Sequence, residues 1–198
     1  PDAFTYLGAR ELRVAGVPCL ALRIGFVGEL GYELHCSAAA AEQLWDALVH
    51  TGAMPFGLEA QRVLRLEKAH IIVGQDTDSE SNLVSAGMPW IVKREKDDFV
   101  GKWAVEHASV RERLVGFTMA AGVVPIEGAQ VVRDGRPAGR VTSARASERL
   151  GQVVGLAWVQ PEQAVDGAEI AIQIAGEPRR AAVTLAPFYD AEGKLLRS

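Results

Sequence analysis

Hydrophobic and polar positions alternate along three short stretches near the start of the chain, as they do in half-buried β-strands. Residues 13–15 and 19–24 predict two strands joined by a turn at residues 16–18, and residues 32–36 predict a third strand. In the segment that precedes this third strand, Gly28 and Gly31 provide the backbone freedom that a tight turn requires. The chain is therefore predicted to begin with short strands and glycine-rich turns.

The spacing of apolar residues then changes to the period of amphipathic helices. One helix is predicted between Ser37, its expected N-cap, and Gly52. A second helix is predicted over residues 57–70, with Leu58 among its inward-facing residues and Arg65 among those available for ion pairs on its surface. Strands and helices together indicate an α+β arrangement in this part of the chain.

Residues 74–81, GQDTDSES, form a polar loop by composition. Asp76, Asp78 and Glu80 alternate as acidic residues do at the start of a calcium-binding loop, but the glycine and the final glutamate of an EF-hand loop are missing. The sequence therefore favours a solvated loop over a calcium site. A short strand is predicted next, over residues 90–93.

From about residue 109 onwards, the pattern consists of short alternating strands separated by turns. Asp134-Gly135, between two alternating runs, is a strong hairpin signal, and residues 175–178 give a second one. Five or six short antiparallel strands with no long helix predict a small barrel or sandwich. We therefore divide the chain into an α+β region, residues 1–108, and an all-β region, residues 109–198.

The composition is that of an ordinary globular protein with enough apolar residues for a full core: 198 residues, 48% hydrophobic and 23% charged. A net charge of −4 and scattered arginines argue against nucleic-acid binding. The sequence shows no signal peptide and no apolar run long enough to cross a bilayer, which favours a cytoplasmic protein without a membrane partner.

The sequence contains no motif that indicates a metal site or a nucleotide-binding site. The four histidines lack the spacing of metal ligands, and Cys19 and Cys36 form neither a metal motif nor a disulfide framework. There is no GxSxG, Walker or GxGxxG motif. Neither a flavin nor NAD is therefore expected to be bound by this chain in the usual way.

Glu33 is the one carboxylate whose position suggests a specific role. It lies inside a predicted strand, between Tyr32 and Leu34, so its side chain either faces water or holds a ligand. Trp90, beside Pro89, is also open to two interpretations, a stacking surface or an ordinary core residue. The pattern alone favours the solvated face for Glu33 and the core for Trp90.

Seven segments, in one order along the chain, resemble the C-terminal part of the glycine-cleavage T-protein (aminomethyltransferase) family. They are RIGFVGELGYELH, FGLEAQRVLRLEK, IIVGQDTD, DFVGK, RLVGF, GRVTSARASERLGQVVGLAWV and PFYDAEGKLLR. LEK and IIVGQDTD look closest to the alpha subunit of heterotetrameric sarcosine oxidase, while VGELGYELH and PFYDAEGK are shared with dimethylglycine dehydrogenase. The resemblance covers nearly the whole chain and implies part of a folate-binding α+β domain followed by a small all-β barrel domain.

The resemblance also implies a tetrahydrofolate pocket. In the family, a glutamate from the motif that matches GYE holds the pterin ring, and Glu33 occupies that position. A carboxylate suits this role because its two acceptor oxygens match the flat pair of donors on the pterin. By the same resemblance, Leu34 and His35 are expected to line the pocket, Phe26 to pack near the ring, and Trp90 to close over the folate.

The oxidase-associated members imply a function in oxidative demethylation. Tetrahydrofolate would accept the one-carbon unit released from an N-methyl amine such as sarcosine or dimethylglycine, giving methylenetetrahydrofolate. The flavin would lie elsewhere, so flavin-containing oxidase subunits are expected partners. Gln61 agrees with this branch because the family's aminomethyltransferases carry an arginine there. The alternatives are a glycine-cleavage aminomethyltransferase and a non-catalytic binding or scaffold remnant.

The family's N-terminal stretch has no match in these 198 residues. In the family, that stretch supplies part of the folate pocket and an aspartate thought to assist attack by the folate nitrogen. The sequence therefore identifies no catalytic residue. It predicts a fragment, a chain whose missing N-terminal half lies on a separate polypeptide, or a shortened relative without catalysis.

Overall fold

The computed structural model describes residues 4–93 and 95–198, which form two compact units. The first unit comprises residues 4–68 together with Tyr189–Ser198, and the second comprises Ala69–Phe188 apart from residue 94. This grouping differs from the sequence-based division at residue 108. The described part of the segment 69–108 groups with the all-β strands, and the last ten residues of the chain group with the first unit.

The first unit contains a three-stranded antiparallel sheet. Its strands are β1 (Ala9–Val14), β2 (Val17–Leu22) and β3 (Glu33–His35), in that spatial order. Only Ala15 and Gly16 connect β1 to β2, and both have the positive φ that a two-residue hairpin turn requires. The predicted turn at residues 16–18 is therefore wrong in register, because Val17 and Pro18 already belong to β2.

One face of this sheet carries the core of the first unit. The 3₁₀ turn Ala38–Ala40 and helix α1 (Ala41–His50) follow β3. Leu44 of α1 is buried with Val17 and Cys19 of β2. Trp45, the next residue, is exposed because it lies about 100° around the helix from Leu44.

Helix α2 (Leu58–Glu67) differs from its prediction at both ends. Leu58 is 72% exposed although it is predicted to face inward. Arg65, expected on the surface, is buried together with Glu67 and the following Lys68. Four consecutive buried residues mean that the end of α2 is enclosed on several sides, so its charged side chains need partners other than water, and Arg65 and Glu67 both have such interactions.

The second unit contains a closed antiparallel barrel of six strands. They are β4 (Arg113–Ala120), β5 (Gln130–Arg133), β6 (Arg136–Ser147), β7 (Gln152–Val159), β8 (Glu169–Ile174) and β9 (Glu177–Thr184). The order around the barrel is β4-β7-β6-β5-β8-β9, and β9 pairs back to β4. The predicted α+β class and the predicted small barrel are confirmed.

Two-residue turns with positive φ close two of the barrel hairpins. Asp134-Gly135 joins β5 to β6, and Ala175-Gly176 joins β8 to β9. Inside the barrel, Phe117 is fully buried. A Cβ at Gly155 would overlap its ring and would lie 2.5 Å from the carbonyl oxygen of Ser143, so only glycine fits at that point of β7.

The segment that precedes the barrel in the second unit is mostly irregular. Residues 90–93, predicted as a strand, instead form the end of a 3₁₀ turn (Pro89–Ile91) and two residues without regular structure. The remaining helical elements are α3 (Lys102–Glu106), the 3₁₀ turn Pro161–Gln163 and, in the first unit, α4 (Lys194–Arg197). Among the described residues, no helix is long and apolar enough to cross a membrane.

Candidate functional site

A tight loop with three glycines leads from β2 to β3 in the first unit, and we call residues 25–31 the glycine loop. Its two ends lie against each other. A Cβ at Gly31 would lie 2.7 Å from the carbonyl oxygen of Ile24, and one at Gly25 would lie 2.5 Å from that of Glu29. These positions require glycine because the backbone approaches itself too closely for any side chain. The backbone conformation of the loop, and with it the position at which β3 begins, is therefore tightly constrained.

The third glycine of the loop meets a side chain instead of backbone. Gly28 is buried and has a φ of +86°. A Cβ there would lie 3.1 Å from three carbons of the Lys68 side chain. The aliphatic part of Lys68 thus lies against the middle of the glycine loop.

Glu33 and His35 lie on the face of the sheet that is opposite the core. Their side chains are 51% and 56% exposed, and His35 Nε2 is 3.2 Å from Glu33 Oε2. In β2, Leu22 is the partner of Glu33 and Leu20 is the partner of His35. This face therefore offers a carboxylate and an imidazole beside apolar side chains, which is a surface that can bind a flat polar ring.

The other residues predicted for the site occupy three different places. Leu34 points to the opposite face of the sheet from Glu33 and packs against the core of the first unit. Phe26 lies in the glycine loop and is 37% exposed. Trp90 belongs to the second unit, in the 3₁₀ turn Pro89–Ile91, and is 77% exposed. The structure thus brings Glu33 and His35 together, and it places Leu34 against apolar residues.

An aromatic and cationic group that the sequence did not single out adjoins Glu33. The guanidinium carbon of Arg23 lies 5.6 Å from the ring centre of Tyr32, and the ring centres of Tyr32 and Phe4 are 5.7 Å apart. Arg23 is buried and its Nη2 donates to the carbonyl oxygen of Ser198. Tyr32, next to Glu33, therefore contacts both a cation and a second aromatic ring.

The last ten residues, Tyr189–Ser198, also contact this region, and we call them the closing segment. The hydroxyl of Tyr189 donates to Glu29 Oε1 at 2.9 Å. Lys68 Nζ lies 3.0 Å from Asp190 Oδ2, and both side chains are at least nine-tenths buried. The glycine loop, the end of α2 and the closing segment therefore form one hydrogen-bonded cluster within the first unit.

Asp190 is held as a carboxylate by this cluster. Burial raises the pKa of Asp190, but hydrogen bonds from Lys68 and from the backbone amides of Lys194 and Leu195 outweigh that effect. The net result is a pKa below the ordinary value. The buried Lys68 cation is thus matched by a negative charge near neutral pH.

The second unit contains a buried carboxyl group that the sequence interpretation missed. Asp76 is fully buried, so the prediction of a solvated loop is wrong at this position. Its carboxyl group accepts hydrogen bonds from the Ile72 amide at 2.8 Å, from the Thr142 hydroxyl at 2.7 Å and from the Ser143 hydroxyl. Trp158 Nε1 donates to the Asp76 carbonyl oxygen at 2.9 Å. The polar loop is therefore anchored on barrel strands β6 and β7.

Asp78, two residues further on, faces solvent. Its Oδ2 lies 3.1 Å from Arg140, which also pairs with Glu112 at 2.8 Å. The Ser81 hydroxyl, the backbone amide of Glu80 and the Arg140 cation lower the pKa of Asp78 below its ordinary value, against the opposing effect of burial. Of the two aspartates in this loop, Asp76 is thus a buried anchor and Asp78 forms an exposed ion pair. No group of three or more potential metal ligands is found among residues 4–93 and 95–198.

Comparisons with known families match both regions of the chain. Residues 1–96 match the GCVT N-terminal domain, and residues 112–190 match the glycine cleavage T-protein C-terminal barrel domain. Both matches concern parts of the same protein family, and together they include both the glycine loop and the six-stranded barrel.

Two curated relatives, both named aminomethyltransferase, illustrate the similarity. An aminomethyltransferase from Synechococcus sp. (strain RCC307) is 36% identical over 94% of this chain and 53% of its own length. One from Thermus thermophilus is 40% identical over 89% of this chain and 48% of its own length. The chain therefore spans about half the length of the curated relatives it matches.

The fold also has a counterpart among solved structures. The glycine cleavage system aminomethyltransferase T from Bartonella henselae superimposes with a TM-score of 0.88 at 23% identity. The match covers 96% of this chain and 54% of that one. At this level of identity, the likeness supports the fold alone.

Proposed function

Because the chain belongs to the glycine-cleavage T-protein (aminomethyltransferase) family, we propose that it holds the pterin of tetrahydrofolate during transfer of a one-carbon unit from an aminomethyl group. The relatives are named aminomethyltransferases, which favours the glycine-cleavage alternative over oxidation of sarcosine or dimethylglycine. The product expected from this transfer is methylenetetrahydrofolate.

The observation that carries this proposal is the placement of Glu33. Its carboxylate projects from a short strand into solvent, and the strand is fixed by the close backbone contacts of the glycine loop. Among the described residues, the hydrogen-bond partner of the Glu33 carboxylate is the imidazole of His35, and the half-exposed carboxylate remains open to a ligand from solvent. Two coplanar oxygens match the paired N–H donors of a pterin ring.

His35 suits the role of orienting that carboxylate. An imidazole with its proton on Nε2 donates to Glu33 Oε2 over 3.2 Å, which restrains rotation of the carboxylate plane. Leu20 and Leu22 lie beside the pair on the neighbouring strand and offer an apolar surface to a ring. Phe26 and Trp90 remain predicted ligand contacts. Leu34 also remains predicted, but its side chain lies on the core face of the sheet, so it could only support Glu33 from the opposite side.

The chemistry assigned to this chain is binding and orientation. In the proposed reaction, a nitrogen of tetrahydrofolate forms a bond to the one-carbon unit as the bond between that carbon and its donor breaks. Glu33 would hold the pterin so that this nitrogen is presented in one orientation, which lowers the entropic part of the barrier. The acid or base of the reaction is not assigned to any residue of this chain.

The test is calorimetric titration of the chain with tetrahydrofolate, comparing wild type with Glu33→Gln. The amide keeps the shape of the carboxylate but replaces one acceptor oxygen with a donor, which should cost about 1.5–3 kcal/mol, or about 10- to 150-fold in affinity. Glu42→Gln is the matched control, because Glu42 is an exposed glutamate on α1, which packs on the opposite face of the sheet.

Binding by wild type and by Glu42→Gln, with weakened binding by Glu33→Gln, would support the proposal. Equal affinity of all three proteins would remove Glu33 from the site. Absence of binding by folded wild-type chain, verified by circular dichroism, would show that these residues do not hold the pterin by themselves.

A further inference from the structure

We propose that the closing segment positions the pterin-binding glutamate by holding the glycine loop, with Tyr189 and Asp190 as positioning residues. The inference concerns residues that do not touch the ligand, and its effect on folate affinity rests on the proposed function. It follows from three separate contacts that converge on the seven residues of one loop.

The first contact is a hydrogen bond to the tip of the loop. The Tyr189 hydroxyl reaches Glu29, and the Tyr189 backbone amide donates to the carbonyl oxygen of Glu67 at 2.9 Å. Tyr189 is thus fixed at its backbone by α2 and restrains the loop through its side chain. Glu29 can accept this hydrogen bond because its carboxylate is directed towards the protein.

The second contact acts through Lys68. Its ammonium group is bonded to the carboxylate and to the carbonyl oxygen of Asp190, while its carbons lie against Gly28. A buried lysine side chain fixed at its charged end cannot move aside easily. The middle of the glycine loop therefore rests on a side chain that Asp190 immobilises.

The third contact is apolar. A Cβ at Gly25 would lie 2.8 Å from Leu196 Cδ1, so the buried Leu196 of α4 lies directly against the start of the loop. Asp190 also accepts hydrogen bonds from the amides of Lys194 and Leu195, which fixes α4 relative to the same aspartate. One aspartate thus organises both the lysine contact and the leucine contact.

These contacts bear on the site because the loop runs directly into β3. Only Tyr32 separates the last loop glycine, Gly31, from Glu33. β3 has three residues and, among the described residues, pairs only with β2, so the sheet itself gives Glu33 limited support. Restraint of the loop therefore contributes to the orientation of the Glu33 carboxylate.

The test uses the whole chain and two readouts. Hydrogen exchange reports how often peptides that cover residues 25–35 open, and calorimetry reports tetrahydrofolate affinity well below the melting temperature. Tyr189→Phe removes one hydroxyl and keeps the ring, and we expect about 2- to 10-fold faster exchange in this region and an affinity lower by about 3- to 10-fold. Asp190→Asn should change both readouts in the same direction.

Tyr6→Phe is the matched control. Tyr6 lies in the same unit and is partly buried, and its hydroxyl makes no hydrogen bond to the described residues. We expect neither readout to change in this variant. Exchange in peptides of the barrel should also stay at the wild-type rate in all three variants.

Unchanged exchange over residues 25–35 in Tyr189→Phe would overturn the inference, and so would faster exchange spread evenly over the first unit, which indicates general destabilisation. Faster exchange with unchanged affinity would limit the closing segment to a structural role and overturn the positioning claim. If wild type binds no tetrahydrofolate, the proposed function fails, while the exchange result still decides whether the closing segment holds the loop.

Discussion

Replacement of the buried Asp76 by alanine tests how the polar loop is fixed to the barrel. The carboxyl group accepts hydrogen bonds from the amide of Ile72 and from the hydroxyls of Thr142 and Ser143. Alanine removes both carboxylate oxygens of Asp76, and the three donor groups stay inside the protein without that acceptor. We expect a loss of stability well beyond that of an ordinary surface substitution.

The magnitude follows from the partners that remain. The Thr142 hydroxyl can turn to the carbonyl oxygen of Leu156, 3.3 Å away, so its cost is small. The Ile72 amide and the Ser143 hydroxyl lose the acceptor that Asp76 provides, at roughly 1–3 kcal/mol for each buried donor. Because Ile72 is only partly buried, we expect about 2–4 kcal/mol for Asp76→Ala in total.

The assay is urea unfolding combined with native-state hydrogen exchange of β6 and β7, which separates loss of barrel stability from changes in the first unit. Asp78→Ala is the internal control, because Asp78 lies in the same loop but is half exposed, so that water can replace its hydrogen bonds from Ser81 and Glu80 and its ion pair with Arg140. An exposed pair of this kind contributes about 1 kcal/mol or less. If both substitutions cost the same, the argument from burial is refuted.

Two further predictions concern the barrel interior and the closing segment. Gly155→Ala should destabilise the barrel by about 1–3 kcal/mol in thermal unfolding, because its Cβ would overlap Phe117, and an unchanged melting temperature would contradict this packing. The pKa of Asp190 is lowered in the folded state, so its stabilising effect is present above the ordinary value of 3.8 and is lost as the pH falls through the lower folded value. The stability difference between wild type and Asp190→Asn should therefore shrink on acidification below that value, whereas a constant difference would argue against the Lys68 pairing.

The barrel could be predicted largely from the sequence because its signals are local. Asp134-Gly135 between alternating runs identifies a hairpin by the positive φ that its two residues tolerate, and the structure shows that turn. The same reasoning predicts the first hairpin but places its turn too late in the chain, because proline is common in turns and Pro18 follows Gly16. Pro18 in fact lies in β2 on the exposed face of the sheet, where it pairs with Arg13.

Burial of charged residues was the main failure of the sequence interpretation. Composition places Asp76 in a polar loop and Arg65 on a helix surface, and both are buried. A charged residue can be buried only when partners surround it, and the partners of Asp76 lie 66 and 67 residues further along the chain, at Thr142 and Ser143. No local pattern contains that information, so hydrophobic periodicity predicts the apolar core and misses the polar anchors.

The glycine loop contains one constraint that the local sequence can suggest and one that depends on a distant part of the chain. Gly25 and Gly31 are needed because the loop approaches its own backbone, a constraint that a glycine-rich segment can suggest. Gly28 lies against Lys68, which is fixed by Asp190 from 122 residues away along the chain. The motif around Glu33 can therefore be identified from the sequence as a ligand-binding motif. The contacts proposed to orient its carboxylate come from the closing segment, and no sequence spacing predicts them.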